Sequence, residues 1–134
     1  MKKTIIVVGA ALFNDRSELL CALRSPIMSL PNLWEFPGGK IEAGETSEEA
    51  LIREIQEELE CKIEVYEEIE NTTFEYPKII VNLHTFKSKI IEGTPKAKEH
   101  AELRWVPIQE IKSLEWAPAD IPAVEALLAN KVNI

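Results

Sequence analysis

Apolar residues along the chain fall into short runs that predict β-strands. Residues 4–13 and 18–24 are predicted to pair as a hairpin across a polar turn at residues 14–17. Residues 33–36 form a short extended segment. Further strands are predicted at residues 62–70, 72–76, 79–90 and 102–106.

Two other stretches have the spacing of an amphipathic helix. Thr46 followed by Glu49 is a capping-box pattern, so the first helix is predicted to begin there and to run to about Leu59. Its apolar positions gather on one arc and predict a buried face: Leu51, Ile52, Ile55 and Leu59. Residues 120–128 predict a final helix and residues 108–112 a helical turn. Strands interleaved with two helices indicate an α/β domain with a mixed sheet.

Length and composition fit a globular protein. The 134 residues, 46% of them hydrophobic, are predicted to form a single domain over residues 1–134. There is no run of eighteen apolar residues, so no membrane span is expected. The apolar start superficially resembles a signal peptide, but its β-branched residues favour a strand. Cys21 and Cys61 are interpreted as reduced, half-buried thiols of a cytoplasmic protein.

Acidic residues concentrate in one part of the chain. Of the 23 Asp and Glu residues, eight lie between Glu42 and Glu60, where Arg53 is the single base. Eight acids minus one base give this segment −7 of a formal net charge of −8, so the acidity needs a local explanation. A pI near 4.9 argues against binding a nucleic-acid polymer, which relies on basic surface. A phosphate-bearing ligand is therefore expected to arrive with a divalent ion.

Three carboxylates of this segment share one side of the helix. The i, i+3, i+4 spacing of Glu54, Glu57 and Glu58 brings them within reach of one point. Their mutual repulsion is tolerable if a hard cation such as Mg²⁺ or Mn²⁺ lies among them. Arg53 can orient a carboxylate, and a tight turn at residues 37–39 can bring backbone carbonyls to the same point. The alternative is a solvated acidic face without a metal.

These residues belong to a longer pattern. Gly39, Glu45 and the run REIQEE at residues 53–58, with five and seven residues between them, resemble the signature of the Nudix hydrolases. The resemblance to MutT-type members of that family extends nearly end to end. It implies a Nudix-type α/β/α sandwich with a mixed β-sheet. One position departs, because Glu60 stands where the family has a glycine that normally ends the helix in a left-handed conformation.

The resemblance implies a metal site on the helix. Glu54, Glu57 and Glu58 would bind Mg²⁺, with Mn²⁺ as a possible substitute. The backbone carbonyl of Gly39 would complete the protein ligands. Arg53 would hold one carboxylate in place, because its planar fork fixes geometry better than a lysine.

One further carboxylate is expected from outside the helix. Glu99 lies in a loop that enters a strand, and it matches the glutamate that reaches back to the metals in MutT-type enzymes. It is expected to be a further metal ligand or the general base, with a solvated loop glutamate as the alternative. His100 is a second candidate base, but a single exposed histidine is more often incidental. The catalytic residues expected are Glu54, Glu57, Arg53 and Glu99.

The resemblance also assigns residues to the nucleotide. The expected substrate contacts are Arg24, Phe36, Lys40, Lys78 and Asp120. Phe36 would line the base pocket, with plain core packing as the alternative. Asp120 falls where MutT-type enzymes read the base. An ionised carboxylate only accepts hydrogen bonds, which favours a base edge rich in N–H donors. The alternative for Asp120 is an ordinary helix cap.

The function that the resemblance implies is a Mg²⁺-dependent nucleoside triphosphate pyrophosphohydrolase that releases a nucleoside monophosphate and pyrophosphate. Its expected substrates are oxidised or modified nucleotides of the 8-oxo-dGTP or CTP and dCTP type, in a nucleotide-pool sanitising role that serves DNA repair. One alternative is a Nudix hydrolase of another nucleoside diphosphate derivative, such as ADP-ribose or a dinucleotide polyphosphate. Another is a non-catalytic nucleotide-binding module. No nucleic-acid polymer or membrane partner is expected, and the protein is expected to be a monomer or homodimer.

Overall fold

The computed structural model describes residues 2–129, which form seven strands and two α-helices. Residue 1 and residues 130–134 of the predicted domain lie outside the described residues. The strands are β1 (Lys3–Leu12), β2 (Glu18–Leu23), β3 (Trp34–Glu35), β4 (Gly38–Lys40), β5 (Lys62–Glu75), β6 (Ile79–Glu92) and β7 (Glu102–Pro107). The helices are α1 (Ser47–Leu59) and α2 (Ile121–Leu128), with 3₁₀ turns at Ile108–Ser113 and Pro118–Asp120.

The strands form two sheets rather than one. The first sheet has the order β4-β1-β6-β5, and the second has the order β3-β2-β7. β1 and β6 run parallel, whereas their outer neighbours β4 and β5 are antiparallel. The first sheet is therefore mixed, which confirms the predicted α/β class. The second sheet is antiparallel throughout and was not predicted as a separate sheet.

The predicted hairpin of the first two strands is wrong. β1 and β2 lie in different sheets, and a single isolated bridge between Phe13 and Leu19 joins them. The reason is that each strand already has two partners. β1 is paired on both edges by β4 and β6, and β2 is paired by β3 and β7. Neither strand has a free edge along which to form the hairpin ladder.

Two apolar clusters cover the opposite faces of β1. Val8, Ala10 and Leu12 belong to a cluster that contains the buried face of α1. Ala11 and Phe13 belong to a second cluster that contains the apolar residues of α2. Side chains alternate between the two faces of a strand, so the two helices cover opposite sides. This arrangement confirms the expected α/β/α sandwich.

Strand β5 is longer than predicted. Residues 62–70 and 72–76 were expected as two strands, but they form the single strand β5, which pairs with β6 from Lys62 to Glu75. The register of this pair shifts three times between Lys62 and Glu70. Bulges of this kind absorb extra residues without ending a strand, which explains why the polar break in the sequence is not a break in the structure.

Helix α1 begins and ends in recognisable caps. The side chain of Thr46 accepts the N–H of Glu49, and the Glu49 side chain accepts the N–H of Thr46, as the capping-box pattern predicts. At the other end Glu60 has φ 60° and ψ 38°, the left-handed conformation expected of the family glycine. The helix end therefore keeps its shape although a glutamate occupies it, at a backbone cost of roughly 1 kcal/mol.

The helices and the two cysteines bear on the predictions about a membrane span and free thiols. Within residues 2–129 no helix is both long enough and apolar enough to cross a membrane. Cys21 and Cys61 are free thiols, and both are fully rather than half buried. Burial raises the pKa of the Cys21 thiol to about 12, which keeps it protonated and unreactive near neutral pH.

Candidate active site

The two glycines before α1 form a strand, and the predicted tight turn is wrong at this point. Gly38 and Gly39 lie in β4 and pair with Gly9 and Val8 of β1. A Cβ atom at Gly38 would lie 1.9 Å from the carbonyl oxygen of Val8. A Cβ atom at Gly39 would lie 2.4–2.6 Å from the carboxyl group of Glu54. The absence of side chains therefore lets β4 contact β1 on one side and the acidic helix on the other.

Arg53 is the central cation of the acidic helix. Its Nε and Nη2 donate to the two carboxylate oxygens of Glu45 at 2.7 and 3.0 Å. Its Nη1 donates to Glu54 and to Glu57, each at 3.1 Å. Its Nη2 also donates to the backbone carbonyl of Lys40 at 3.0 Å. The prediction that Arg53 orients a carboxylate is confirmed, and it orients three of them.

Glu58 has a buried carboxyl group that Arg53 does not pair with. Its Oε1 is buried and has no hydrogen-bond partner among the described residues. Burial above all, and then the neighbouring charges of Glu54, Glu35 and Glu99, raise the pKa of Glu58 to about 8. A hydrogen bond from the backbone N–H of Gly38 offsets part of this rise. Within the described residues, the carboxyl group thus has other acids nearby and no cation paired with it.

The remaining predicted ligands differ in how they are held. Glu54 is partly buried between Gly39 and Arg53, and burial raises the pKa of its carboxyl group. Glu57 lies in the next turn of the helix, and 61% of its side chain is exposed. Glu99 is exposed in the loop before β7, yet its charge acts on Glu58. The loop carboxylate is therefore close enough to Glu58 for the two charges to interact.

The chemistry of the side chains at this site fits a hard divalent cation. In the described part of the chain, no group of three or more His, Cys, Asp or Glu side chains forms a ready-made metal site. Oxygen donors are nevertheless present. They are the unpartnered Oε1 of Glu58, the carboxylate of Glu54 against Gly39, and the carboxylate of Glu99, whose charge acts on Glu58. Mg²⁺ and Mn²⁺ prefer such oxygen donors, and a cation would compensate the charge of Glu58.

A second polar group lies beside the acidic cluster. Glu35 of β3 accepts a hydrogen bond from Arg24 Nη1 at 2.7 Å, and its other oxygen lies 2.8 Å from His100 Nε2. The interpretation of His100 as an exposed residue is wrong, because its side chain is fully buried. Arg24 also donates to the backbone carbonyl and the hydroxyl of Ser29. Its contact with a nucleotide stays a prediction.

The predicted base pocket is largely packed by the protein itself. Phe36 is 4% exposed and its ring lies 5.1 Å from that of Trp116, which agrees with the packing alternative. Asp120 is buried, and its Oδ1 accepts the backbone N–H of Phe36 at 3.1 Å. Its side chain makes no capping hydrogen bond to α2, so the helix-cap alternative is wrong. Burial first, and then the charge of Glu35, raise the pKa of Asp120 well above its usual range.

The two predicted lysine contacts lie on the surface. Lys40 ends β4 with an exposed side chain, while its backbone carbonyl accepts from Arg53. Lys78 is exposed in the turn between β5 and β6. Lys40 is therefore adjacent to the carboxylate site through its backbone, and the nucleotide contacts of both lysines stay predictions.

Three contributors to the site were missed by the sequence reasoning. Glu45 is part of the signature, but its role as the bidentate partner of Arg53 was not assigned. Glu35 and the burial of His100 were missed because the two residues are 65 positions apart and lie in separate elements. The one available signal was a glutamate next to the aromatic lead-in, which is too common to indicate a buried ion pair.

The shifted pKa of Glu58 predicts a pH-dependent stability in metal-free buffer. The unfolded chain loses this proton near pH 4.5, whereas the folded protein keeps it to about pH 8. The free energy of unfolding is therefore expected to fall as pH rises through this window, by up to a few kcal/mol. Urea titrations of wild type and Glu58→Gln at several pH values measure the difference. Parallel pH profiles for the two proteins would contradict the assignment.

Comparisons with known proteins agree with this geometry. The chain matches the NUDIX domain family over residues 3–127. It is 37% identical over 125 residues to a CTP pyrophosphohydrolase of Escherichia coli (strain K12), with 93% of each chain covered. It is 33% identical over 127 residues to an 8-oxo-dGTP diphosphatase of the same strain, covering 95% of this chain and 98% of the relative.

A solved structure supports the same grouping. The solution structure of MutT from methicillin-resistant Staphylococcus aureus 252, described as a DNA mismatch repair protein of the Nudix hydrolase family, is 48% identical to this chain. It superposes with a TM-score of 0.79, covering 97% of this chain and 99% of that one.

Proposed function

The chain belongs to the Nudix family, and from that premise we propose that it is a Mg²⁺-dependent hydrolase that cleaves nucleoside triphosphates into a nucleoside monophosphate and pyrophosphate. The observation that carries the proposal is the buried, unpartnered oxygen of Glu58 beside Glu54, which itself packs on Gly39. Carboxylates crowded in this way need a cation, and a nucleoside triphosphate brings its phosphates to one.

The metal would be held by Glu54, Glu57 and Glu58 together with the backbone carbonyl of Gly39. When bound, it neutralises the charge that builds up on the phosphate oxygens during hydrolysis. Arg53 holds the carboxylates of Glu54 and Glu57 at fixed positions through its two hydrogen bonds from Nη1. This preorganisation saves the reorganisation of flexible side chains at the moment of reaction.

Glu99 is proposed as the general base. It is exposed to solvent at the edge of the acidic cluster, so water can reach its carboxylate. The charge of Glu99 acts on Glu58, which supports its closeness to the helix carboxylates. Its role is to orient the attacking water and accept the proton that the water loses. A further metal ligand is the alternative role for the same side chain.

The proposed substrates are oxidised or modified nucleotides of the 8-oxo-dGTP or CTP and dCTP type. The relatives named CTP pyrophosphohydrolase and 8-oxo-dGTP diphosphatase, at 37% and 33% identity, support this class. Arg24, Lys40 and Lys78 are proposed to contact the nucleotide, with Phe36 at the base. Asp120 is proposed to read the base through its Oδ2, because Oδ1 is engaged by the N–H of Phe36.

Replacing Asp120 by asparagine is expected to change the order of preferred bases. An amide keeps an oxygen for the N–H of Phe36 and presents NH₂ where the carboxyl group presents oxygen. One exchanged hydrogen bond is worth about 1 kcal/mol, so ratios of kcat/KM between bases should move roughly fivefold. The measurement is kcat/KM of both proteins for 8-oxo-dGTP, 5-hydroxy-CTP, dCTP and dGTP. An unchanged ranking would remove Asp120 from base recognition.

The central experiment is a pyrophosphate-release assay. Wild-type protein with Mg²⁺ is given the same four triphosphates together with ADP-ribose and a dinucleotide polyphosphate. Release of pyrophosphate and a monophosphate from at least one triphosphate is expected. Hydrolysis of ADP-ribose alone would overturn the triphosphate assignment. Tight nucleotide binding without any hydrolysis would instead indicate a binding module.

The same proposal covers the setting of the enzyme. Residues 1–134 are taken as a single Nudix domain, which the match over residues 3–127 supports. A cytoplasmic location is consistent with two free, buried thiols and with a substrate from the nucleotide pool. The proposed partners are a nucleoside triphosphate and no nucleic-acid polymer or membrane, in a monomer or homodimer. Size-exclusion chromatography with light scattering distinguishes the last two.

A further inference from the structure

The loop that carries Glu99 is anchored at its far end by a buried histidine. His100 follows Glu99 directly, and its side chain is fully buried although its neighbour is exposed. Its Nε2 lies 2.8 Å from Oε2 of Glu35, and its Nδ1 has no partner within the described residues. An ionised carboxylate only accepts hydrogen bonds, so Nε2 donates. Among residues 2–129, the contact to Glu35 is therefore the single polar contact of this buried ring.

Glu35 is itself held in place, which makes it a rigid anchor. Its Oε1 accepts from Arg24 Nη1 at 2.7 Å, and only 17% of each of the two side chains is exposed. Its strand β3 pairs with β2, with Glu35 opposite Ala22. The orientation of the His100 ring is consequently set by elements of the second sheet rather than by the loop.

The near end of the same loop is tied to the acidic helix. The backbone N–H of Lys96 donates to the carbonyl of Leu59 at 3.0 Å, and Lys96 and Lys98 pair with Glu60 at 3.3 and 3.2 Å. Glu99 thus lies between a contact to the end of α1 and the buried contact of His100. The His100 contact is removed from water and directly adjacent to Glu99, so it restrains the position of the carboxylate.

We propose that His100 is a positioning residue that holds Glu99 over the helix carboxylates through its hydrogen bond to Glu35. The inference rests on the proposed function, in which Glu99 is the base. His100 is assigned no contact with substrate. Glu35 is its hydrogen-bond partner, and Arg24 holds Glu35 in place. Outer hydrogen bonds of this kind commonly change activity by about 10- to 100-fold when removed.

The test compares variants of His100 that differ in reach. His100→Gln can place an amide nitrogen near the position of Nε2, whereas His100→Asn is too short to do so, and His100→Ala removes the group. His84→Ala is the matched control, because His84 also pairs with a glutamate at 2.8 Å, Glu68, but on β5 and β6. Thermal denaturation of each variant shows whether it is folded.

The expected result is a fall in kcat of about 10- to 100-fold for His100→Ala and His100→Asn, with KM changed less than about threefold. His100→Gln should recover most of the loss, and His84→Ala should match wild type. In a Glu99→Ala background, His100→Ala should lower kcat less than about twofold, because the group it positions is already gone. If His100→Ala does not fold, the difference between Gln and Asn remains the deciding measurement.

Three results would overturn the inference. They are wild-type kcat in every folded His100 variant, equal kcat for His100→Gln and His100→Asn, and a full additional loss in the Glu99→Ala background. Each can be seen only while wild type releases pyrophosphate. Wild-type protein that hydrolyses no triphosphate would instead refute the proposed function itself.

Discussion

Replacing Glu58 by glutamine is expected to lower kcat by three orders of magnitude or more while the protein stays folded. The substitution keeps the shape of the side chain but removes the proposed metal-binding carboxylate, whose Oε1 has no hydrogen-bond partner among the described residues. A metal that supplies several kcal/mol of charge stabilisation would lose a ligand, and each 1.4 kcal/mol of that stabilisation is worth about tenfold in rate. Steady-state pyrophosphate release at saturating Mg²⁺ is the measurement.

Glu48→Gln is the matched control for this experiment. Glu48 is on the same helix and is exposed in its first turn, so the same chemical change there should leave kcat within about twofold. The stability of Glu58→Gln should equal that of wild type in metal-free buffer at low pH, because Glu58 is protonated there in wild type as well. This measurement separates a loss of activity from a loss of folding. A Glu58→Gln enzyme within tenfold of wild type would place the metal elsewhere.

Gly39→Ala is expected to lower kcat by about two orders of magnitude, because a 1 Å displacement at an active site costs that much. The new methyl group would lie 2.4–2.6 Å from the carboxyl atoms of Glu54, so that side chain has to move. Glu54 would then leave its 3.1 Å hydrogen bond from Arg53. Kinetic constants and the Mg²⁺ concentration at half-maximal rate measure the effect.

Gly44→Ala is the control, because Gly44 needs its backbone conformation rather than space for a neighbouring side chain. Gly44 has φ +86°, and a Cβ atom there would meet nothing within 4 Å. Alanine at this position should lower the free energy of unfolding by about 1 kcal/mol through backbone strain and leave kcat unchanged. If Gly39→Ala and Gly44→Ala affect kcat equally, contact with Glu54 is not the reason that Gly39 is a glycine.

The acidic helix was predictable because its information is local. The capping pair Thr46 and Glu49, the buried stripe and the carboxylate spacing all lie within one helix, and each follows from helical geometry. The structure reproduces the capping box and the buried stripe, although Ile52 is only partly buried, and it adds the partners of Arg53. Among the described residues the three carboxylates do not form a ready-made metal site. The left-handed Glu60 shows that this position keeps its conformation without a glycine.

The errors arise where distant segments compete for the same edge or the same cavity. Strand β1 pairs with β4 and β6 rather than with β2, and its partner β6 lies up to about 80 residues away in the sequence. No short-range sequence pattern predicts such a pairing. The two glycines looked like a turn because glycine is most often required there, whereas here it permits close packing of a strand. His100 seemed exposed because its neighbours are polar, and only the position of β3 reveals its burial.

Arg53 hydrogen-bonds to three acids on and just before α1, but not to Glu58 of the same helix. Glu45, Glu54 and Glu57 receive permanent counter-charge from a guanidinium that the fold itself provides. Glu58 receives none from that source, and in the proposed function a divalent ion would supply it. Removing the proposed ion with a chelator is therefore expected to abolish activity reversibly while the protein stays folded. Inactivation and unfolding would then be separate events in this protein.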